Sequence, residues 1–388
     1  MRSIDKVQQI ALYLFFFSIN FEVLELFSNF SVAKFSAILY IMTILPQIRQ
    51  FFHIENLKSL LLPILLFFIL LTINNLININ ELYFEVFNQS IVLNLLIFII
   101  MINHVRKDYM ILENALLSFA FGTMLLTLFF LVGFGVDYVG GRVRIFGENQ
   151  NDLGLKISVG LIIILIAVVQ NRLKWGWFRF LLLLPVPFML WLLAETGSRV
   201  AVISFVVAFG IGVILIKTDE VWKKVMMFIA GAIIFIGIAV QMMNSEMLAE
   251  RFLSSYKGGD LSGRDQIWAR IIPLIKDHPV FGVGNTGYDF YNMINFSVVK
   301  SPHNVILEIL CYTGIVGLIL YFAFLYQLFL RGYSGYLKNG WLLPLLLFCP
   351  VLGMILSGQI LHDKLAWVIF GYIVSCSAIP FNKISIPR

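Results

Sequence analysis

The chain has 388 residues, 60% hydrophobic and 13% charged. Soluble domains are about 45–50% apolar and about 25% charged, so this sequence lacks the charge to cover a water-exposed surface and reads as a membrane protein. Its net charge of +6 does not point to nucleic acid, because in a membrane protein the sidedness of Lys and Arg comes before their total.

Taken in chain order, apolar runs fall near residues 8–27, 35–51, 58–76, 86–103, 110–134, 153–170, 178–194, 199–216, 222–243, 303–330, 341–357 and 363–380. Most are near the about 20 residues that cross a bilayer. Helices satisfy their backbone groups within the segment, and these runs are too long and too uniformly apolar for barrel strands. The expectation is an all-α, polytopic integral membrane protein of about twelve transmembrane helices. Helices one to nine occupy 1–243, a large helical outer loop 244–302, and helices ten to twelve with a short tail 303–388. Arg2 and Lys6 precede the first run as in a signal peptide, but no strong small-residue cleavage site follows, so a retained first helix is expected. Cys311, Cys349 and Cys376 lie in apolar runs without metal-ligand spacing and read as packing residues.

With the N-terminus inside, 16 of the 28 Lys and Arg residues and 6 of the 22 Asp and Glu residues fall on the inner face. Both termini are then cytoplasmic. Basic residues in tight outer loops run against this bias and need a reason. Arg142, Arg144 and Arg199 are such residues.

Four polar stretches carry candidate chemistry, all on the outer face. Gly140 to Asp152 holds Arg142 and Arg144, which read either as a lipid-headgroup contact or as part of an anion clamp. Ala194-Glu195-Thr196-Gly197-Ser198-Arg199 joins two runs by a very short connection, where Arg199 either snorkels, pairs with Glu195, or offers its planar fork to a phosphate. In the long loop, Ser262-Gly263-Arg264-Asp265 resembles a capping box, and Ile267, Trp268, Ile271, Ile272 and Ile275 follow at helical spacing as one apolar face. That helix ends at His278-Pro279, and the glycines of Phe281-Gly282-Val283-Gly284-Asn285-Thr286-Gly287-Tyr288 make a turn or let backbone approach a ligand. Ser301-Pro302-His303-Asn304 then starts span ten, with Pro302 in its first turn and Glu308 deeper. His303 is either an interfacial polar residue or a base that works near neutral pH. The sequence has no HExxH, DxD or histidine cluster and no GxSxG, so neither a metal nor a cofactor is expected.

In this order the motifs resemble the bacterial O-antigen ligase and polymerase family, membrane glycosyltransferases with a GT-C-like fold. The residues that carry the resemblance are Gly197-Ser198-Arg199; Ser262-Gly263-Arg264 through Trp268; His278-Pro279-x-Phe281-Gly282-x-Gly284; and His303-Asn304-x-x-Leu307-Glu308 followed by Gly314 and Gly317. The resemblance implies metal-independent, inverting transfer of a glycan from undecaprenyl diphosphate to an acceptor hydroxyl, on the periplasmic side of the inner membrane. The acceptor is lipid A-core for a ligase and a second lipid-linked glycan for a polymerase, and no residue separates the two. Arg199 and Arg264 are then expected to hold the diphosphate and His303 to activate the acceptor hydroxyl. Arg142, Arg144, Glu195, Asn304 and Tyr288 are further substrate-binding candidates. A transporter or flippase of lipid-linked sugars is the rival from another class. It fits less well, because the span centres carry almost no charge and transporters gather ionisable groups near the midplane. A membrane scaffold explains the apolar bulk but not the placement of the arginines.

Overall fold

The computed structural model describes residues 3–27, 30–52, 57–80, 89–105, 108–170, 174–216, 264–358 and 360–378, together with Gly231, Ile236, Gly237 and Val240. The expected ninth span lies almost wholly outside these residues, as do the part of the outer loop up to Gly263 and the C-terminal tail. The described elements are mostly helices: α1 (Ser3–Ser18), α2 (Val32–Ile44), α3 (Lys58–Ile77), α4 (Gln89–Val105), α5 (Tyr109–Val132), α6 (Gln150–Gln170), α7 (Val186–Glu195) and α8 (Arg199–Leu215). After the undescribed stretch come α9 (Arg264–Asp277), α10 (Gly284–Phe296), α11 (Val305–Asn339), α12 (Leu343–Leu346), α13 (Phe348–Ser357) and α14 (Lys364–Ala378).

Among the described residues, six helical stretches are long and apolar enough to cross a membrane: Val32–Phe51, Lys58–Ile77, Met110–Val132, Gln150–Gln170, Gly176–Glu195 and Val305–Asn339. Ser90–His104, Arg199–Leu215, Leu343–Ser357 and Lys364–Cys376 are apolar helices too, but shorter. At 1.5 Å per residue a 20-residue helix spans about 30 Å, the thickness of the hydrocarbon layer. The helices pack as a bundle, with α1 against α2 and α5, α3 along α11, α6 against α5 and α8, and α14 between α4 and α11. Aromatic rings fill the last of these seams: the Trp367 ring lies 5.7 Å from Phe98, and Phe324 lies 5.5 Å from Phe370. Leu62, Ile69, Ile77 and Val132 lie on the exposed surface of the bundle, as expected of helices that meet lipid rather than water.

Among the described residues, two short hairpins depart from the all-helical expectation. β1 (Glu25–Phe27) pairs with β2 (Phe30–Ser31), and β3 (Val136–Val139) pairs antiparallel with β4 (Arg142–Ile145). The second hairpin takes the place of the expected polar connector. Its turn is Gly140-Gly141, both at positive φ of 57° and 67°, the primed geometry that suits the right-handed twist of two strands. The alternation of Val and Arg in 142–145 carries the signal: Val143 and Ile145 are buried while the tyrosine-bearing strand faces outward.

Span ten also differs from the reading. The helix starts at Val305 rather than at His303, with Asn304 as its N-cap accepting from the Ile306 and Leu307 amides at 3.0 and 3.2 Å. Pro302 lies before the helix, not in its first turn. The helix is then interrupted at Gly314, whose backbone sits at φ 61°, ψ −160°. Residues 279–283 insert into the break. The amides of Ile315 and Val316 donate to the carbonyls of Pro279 and Val280 at 2.9 and 3.2 Å, and the Val283 amide donates to the Cys311 carbonyl at 2.8 Å. Backbone groups freed by the break are satisfied by this segment, which makes an interrupted helix tolerable in an apolar bundle. The approach is close enough that a Cβ on Gly282 would stand 2.6 Å from the Cys311 oxygen. Gly282 therefore docks the outer segment onto α11, while Gly284 lets it approach Asn75 of α3.

Candidate active site

Three elements bring the sequence-expected residues together. Arg199 opens α8, immediately after the Ser198 N-cap, whose hydroxyl accepts from the Ala201 amide at 3.4 Å. Arg264 opens α9. His303 lies in the segment that leads into α11, between Ser301, whose hydroxyl accepts the His303 amide at 3.2 Å, and the Asn304 cap.

Trp268 fixes the relation between α9 and His303. Its indole Nε1 donates to the Pro302 carbonyl at 2.9 Å. Residues four apart share a helix face, so the contact that holds Trp268 against 302 also turns Arg264 toward 303. The remainder of α9 is anchored by Ile271 and Leu274, both buried. Ile272, expected on the same apolar face, is 42% exposed instead; Leu274 occupies the inward position. α10 braces the other side. Tyr288 is buried, donates its hydroxyl to the Lys300 carbonyl at 2.5 Å and packs edge-on against Tyr312 at 5.6 Å. Tyr291 of α10 reaches the Arg270 carbonyl of α9 at 3.3 Å.

Sequence reasoning passed over Asn74 and Asn75, which hold this assembly to α3. Asn74 Nδ2 donates to the carbonyls of Phe281 and Tyr312 at 2.5 and 2.9 Å. Asn75 Oδ1 accepts from the Asn285 amide at 2.9 Å and the Thr286 hydroxyl at 3.0 Å. Two adjacent amide side chains near the end of an otherwise apolar helix were the available signal, since polar groups in such a helix persist where they find partners.

Electrostatics link the three site residues. Burial lowers the Arg264 pKa, and the nearby positive charge of Arg199 lowers it further. Burial also pulls the His303 imidazole below its ordinary 6.5, with Arg264 adding to the effect. Arg264 thus stands within electrostatic reach of both other residues, and each of the three is half-buried. Among the described residues neither Arg199 nor Arg264 has a carboxylate partner. Two half-buried cations held together repel, and a polyanion between them relieves that repulsion. A neutral imidazole beside them retains a lone pair to take a proton.

The other candidates are placed differently. Arg142 is only 9% exposed; its Nε donates to the Thr196 carbonyl at 2.6 Å and its Nη2 to Asn151 Oδ1 at 2.8 Å. Arg144 pairs with Asp137 across the hairpin, with its Nε at 3.0 Å. Glu195 accepts from the Trp191 indole at 3.1 Å. Asn304 caps α11 and Tyr288 is an internal brace, so both shape the site through the backbone. Below the hairpin, the buried Glu148 is ion-paired with Lys156, yet burial still pushes Glu148 up to about 7.

Residues 184–322 match the family model described as O-antigen ligase. That segment contains Arg199, Arg264 and His303, the elements that carry them, and the 279–283 segment with the Gly314 break it fills. A search of curated proteins returns no match. The family is one of glycosyltransferase-like ligases and polymerases that act on lipid-linked glycans. Residues 184–322 are thus similar to the O-antigen ligase family, and the match supports the resemblance read from the motifs.

Proposed function

We propose that the protein is an O-antigen ligase-type glycosyltransferase that moves a glycan from undecaprenyl diphosphate to a hydroxyl of lipid A-core at the outer leaflet of the inner membrane. The observation that supports this reading is that Arg264 lies within electrostatic reach of both Arg199 and His303. Transfer needs positive charge where the leaving group forms and a base where the nucleophile arrives. The site has both.

In this reading the acceptor hydroxyl attacks the anomeric carbon while His303 takes its proton. The bond between that carbon and the phosphate oxygen breaks, and its electron pair stays on the diphosphate. Charge on the diphosphate therefore grows toward the transition state, so guanidinium groups aimed at it stabilise the transition state more than the bound donor. Attack from the face opposite the leaving group inverts the anomeric centre. The planar forks of Arg199 and Arg264 match phosphate oxygens in pairs, which lets the arginines supply the charge that a divalent ion supplies in other transferases.

The test is to incubate purified protein with lipid-linked glycan and either lipid A-core or a second lipid-linked repeat. Glycan attached to lipid A-core is the expected product. Lengthened lipid-linked glycan with no lipid A-core product makes the protein a polymerase, and no turnover with either acceptor overturns the enzymatic reading.

A further inference from the structure

The arginine-rich hairpin lies beside the site, yet its most buried arginine is bound to protein. Arg142 Nε and Nη2 are both engaged, by the Thr196 carbonyl and by Asn151 Oδ1. Thr196 is the residue that ends α7, and three residues later Arg199 begins α8. Carbonyls at a helix end lack intrahelical partners, and Arg142 supplies a charged donor to one of them. We propose that Arg142 is a positioning residue, which acts on the diphosphate through the 196–199 turn and sets the direction of the Arg199 guanidinium. This rests on the proposed role of Arg199 as a diphosphate ligand.

Apart from those of Arg142, the hydrogen bonds of that turn are local, as where the Gly197 amide donates to the Ala194 carbonyl at 2.9 Å. Gly197 adopts φ 56° and so contributes no side chain. The Thr196 hydroxyl donates to the Leu193 carbonyl at 2.7 Å and accepts from the Ser198 amide at 3.3 Å, which closes the turn on itself and on α7 but does not tie it to β4 or α6. On its other flank the turn meets α6 at Gly154, where an added Cβ would stand 2.9 Å from the side chains of Ser198 and Thr196. Close packing there sets how near the turn lies to α6. Arg142, through Asn151 at the start of α6, sets its orientation. One guanidinium thus joins β4, α6 and the α7–α8 turn. Lys at this position reaches one partner and not both, because its single ammonium lacks the fork.

The test is a double-mutant cycle on binding of undecaprenyl diphosphate, without glycan, to the full-length protein in lipid nanodiscs. R142A should weaken binding by about tenfold, the scale of one charge-assisted hydrogen bond, and R142K should restore only part of it. In the R199A background R142A should have no further effect, since the group it positions is gone. Equal weakening by R142A with and without Arg199 would show that Arg142 binds the ligand itself or acts elsewhere, and overturns the proposal; so does wild-type binding by R142A. Should R142A not be recovered folded, N151A reads the same cycle, with a smaller weakening that again vanishes in R199A. If R199A alone binds like wild type, the assignment of the diphosphate site fails, which the cycle distinguishes from failure of the positioning role.

Discussion

Replacing Trp268 by Phe tests whether the geometry of the site depends on one hydrogen bond. The substitution keeps an aromatic ring against the 301–304 segment and removes the donor to the Pro302 carbonyl, which stands at 2.9 Å. Pro302 is buried, so the carbonyl loses its partner where water does not readily replace it. A buried polar group left without a partner costs about 1–3 kcal/mol. Where that energy holds Arg264 and His303 in register, its loss lowers kcat/KM by about 5- to 150-fold, at tenfold per about 1.4 kcal/mol. The assay is glycan transfer by protein in nanodiscs, with thermal midpoints measured in parallel. The expected pattern is a fall in kcat/KM larger than the accompanying loss of stability accounts for. Wild-type kcat/KM in a folded but destabilised W268F protein would refute the argument and make the bond a fold contact only.

Further expectations concern charge, backbone and pH. Arg199→Lys keeps the charge but not the fork, and should reduce transfer by about tenfold or more with normal expression, as measured by initial rates. Gly314→Ala places a side chain against the backbone of Val280 at a φ of 61°. It should lower the thermal midpoint in detergent and impair transfer together, whereas a wild-type midpoint would contradict the docking role given to that break. Because His303 is held below 6.5, the acidic limb of the rate–pH profile should have its midpoint below 6.5 and the rate should be flat through neutrality; a midpoint above 6.5 would contradict it. Glu148 has its native value raised from 4.5 to about 7. An acid raised in this way is protonated more readily in the folded state, so its contribution to stability is greatest at low pH and falls as pH rises between these values. Thermal midpoints measured across that window should carry a downward component that the E148Q/K156M double substitution removes.

The bundle was legible in the sequence because lipid forces the backbone to satisfy itself, so long apolar runs admit few other structures. Helix ends were less legible. Pro302 in front of a histidine and an apolar run fits a first helical turn, yet the cap is Asn304, whose side chain reaches two amides. The Gly314 break was not legible at all. It depends on a partner more than thirty residues upstream, the 279–283 segment, and local composition does not report pairing at that range. Residue type, sidedness and resemblance point to Arg199, Arg264 and His303, and in the structure Arg264 lies within electrostatic reach of each of the other two. The same reasoning grouped Arg142 with them by charge alone. What it lacked was the Thr196 carbonyl, a backbone acceptor that no sequence motif marks.

The central claim is that Arg199, Arg264 and His303 form the site of glycan transfer. The most direct measurement is the rate of transfer from undecaprenyl-diphosphate-linked glycan by wild type and by the R199A, R264A and H303A proteins, each shown to be folded and inserted. Loss of transfer in each variant, on the order of 100-fold or more as for other transition-state charge and base groups, is the predicted result. Full activity in all three would contradict the account.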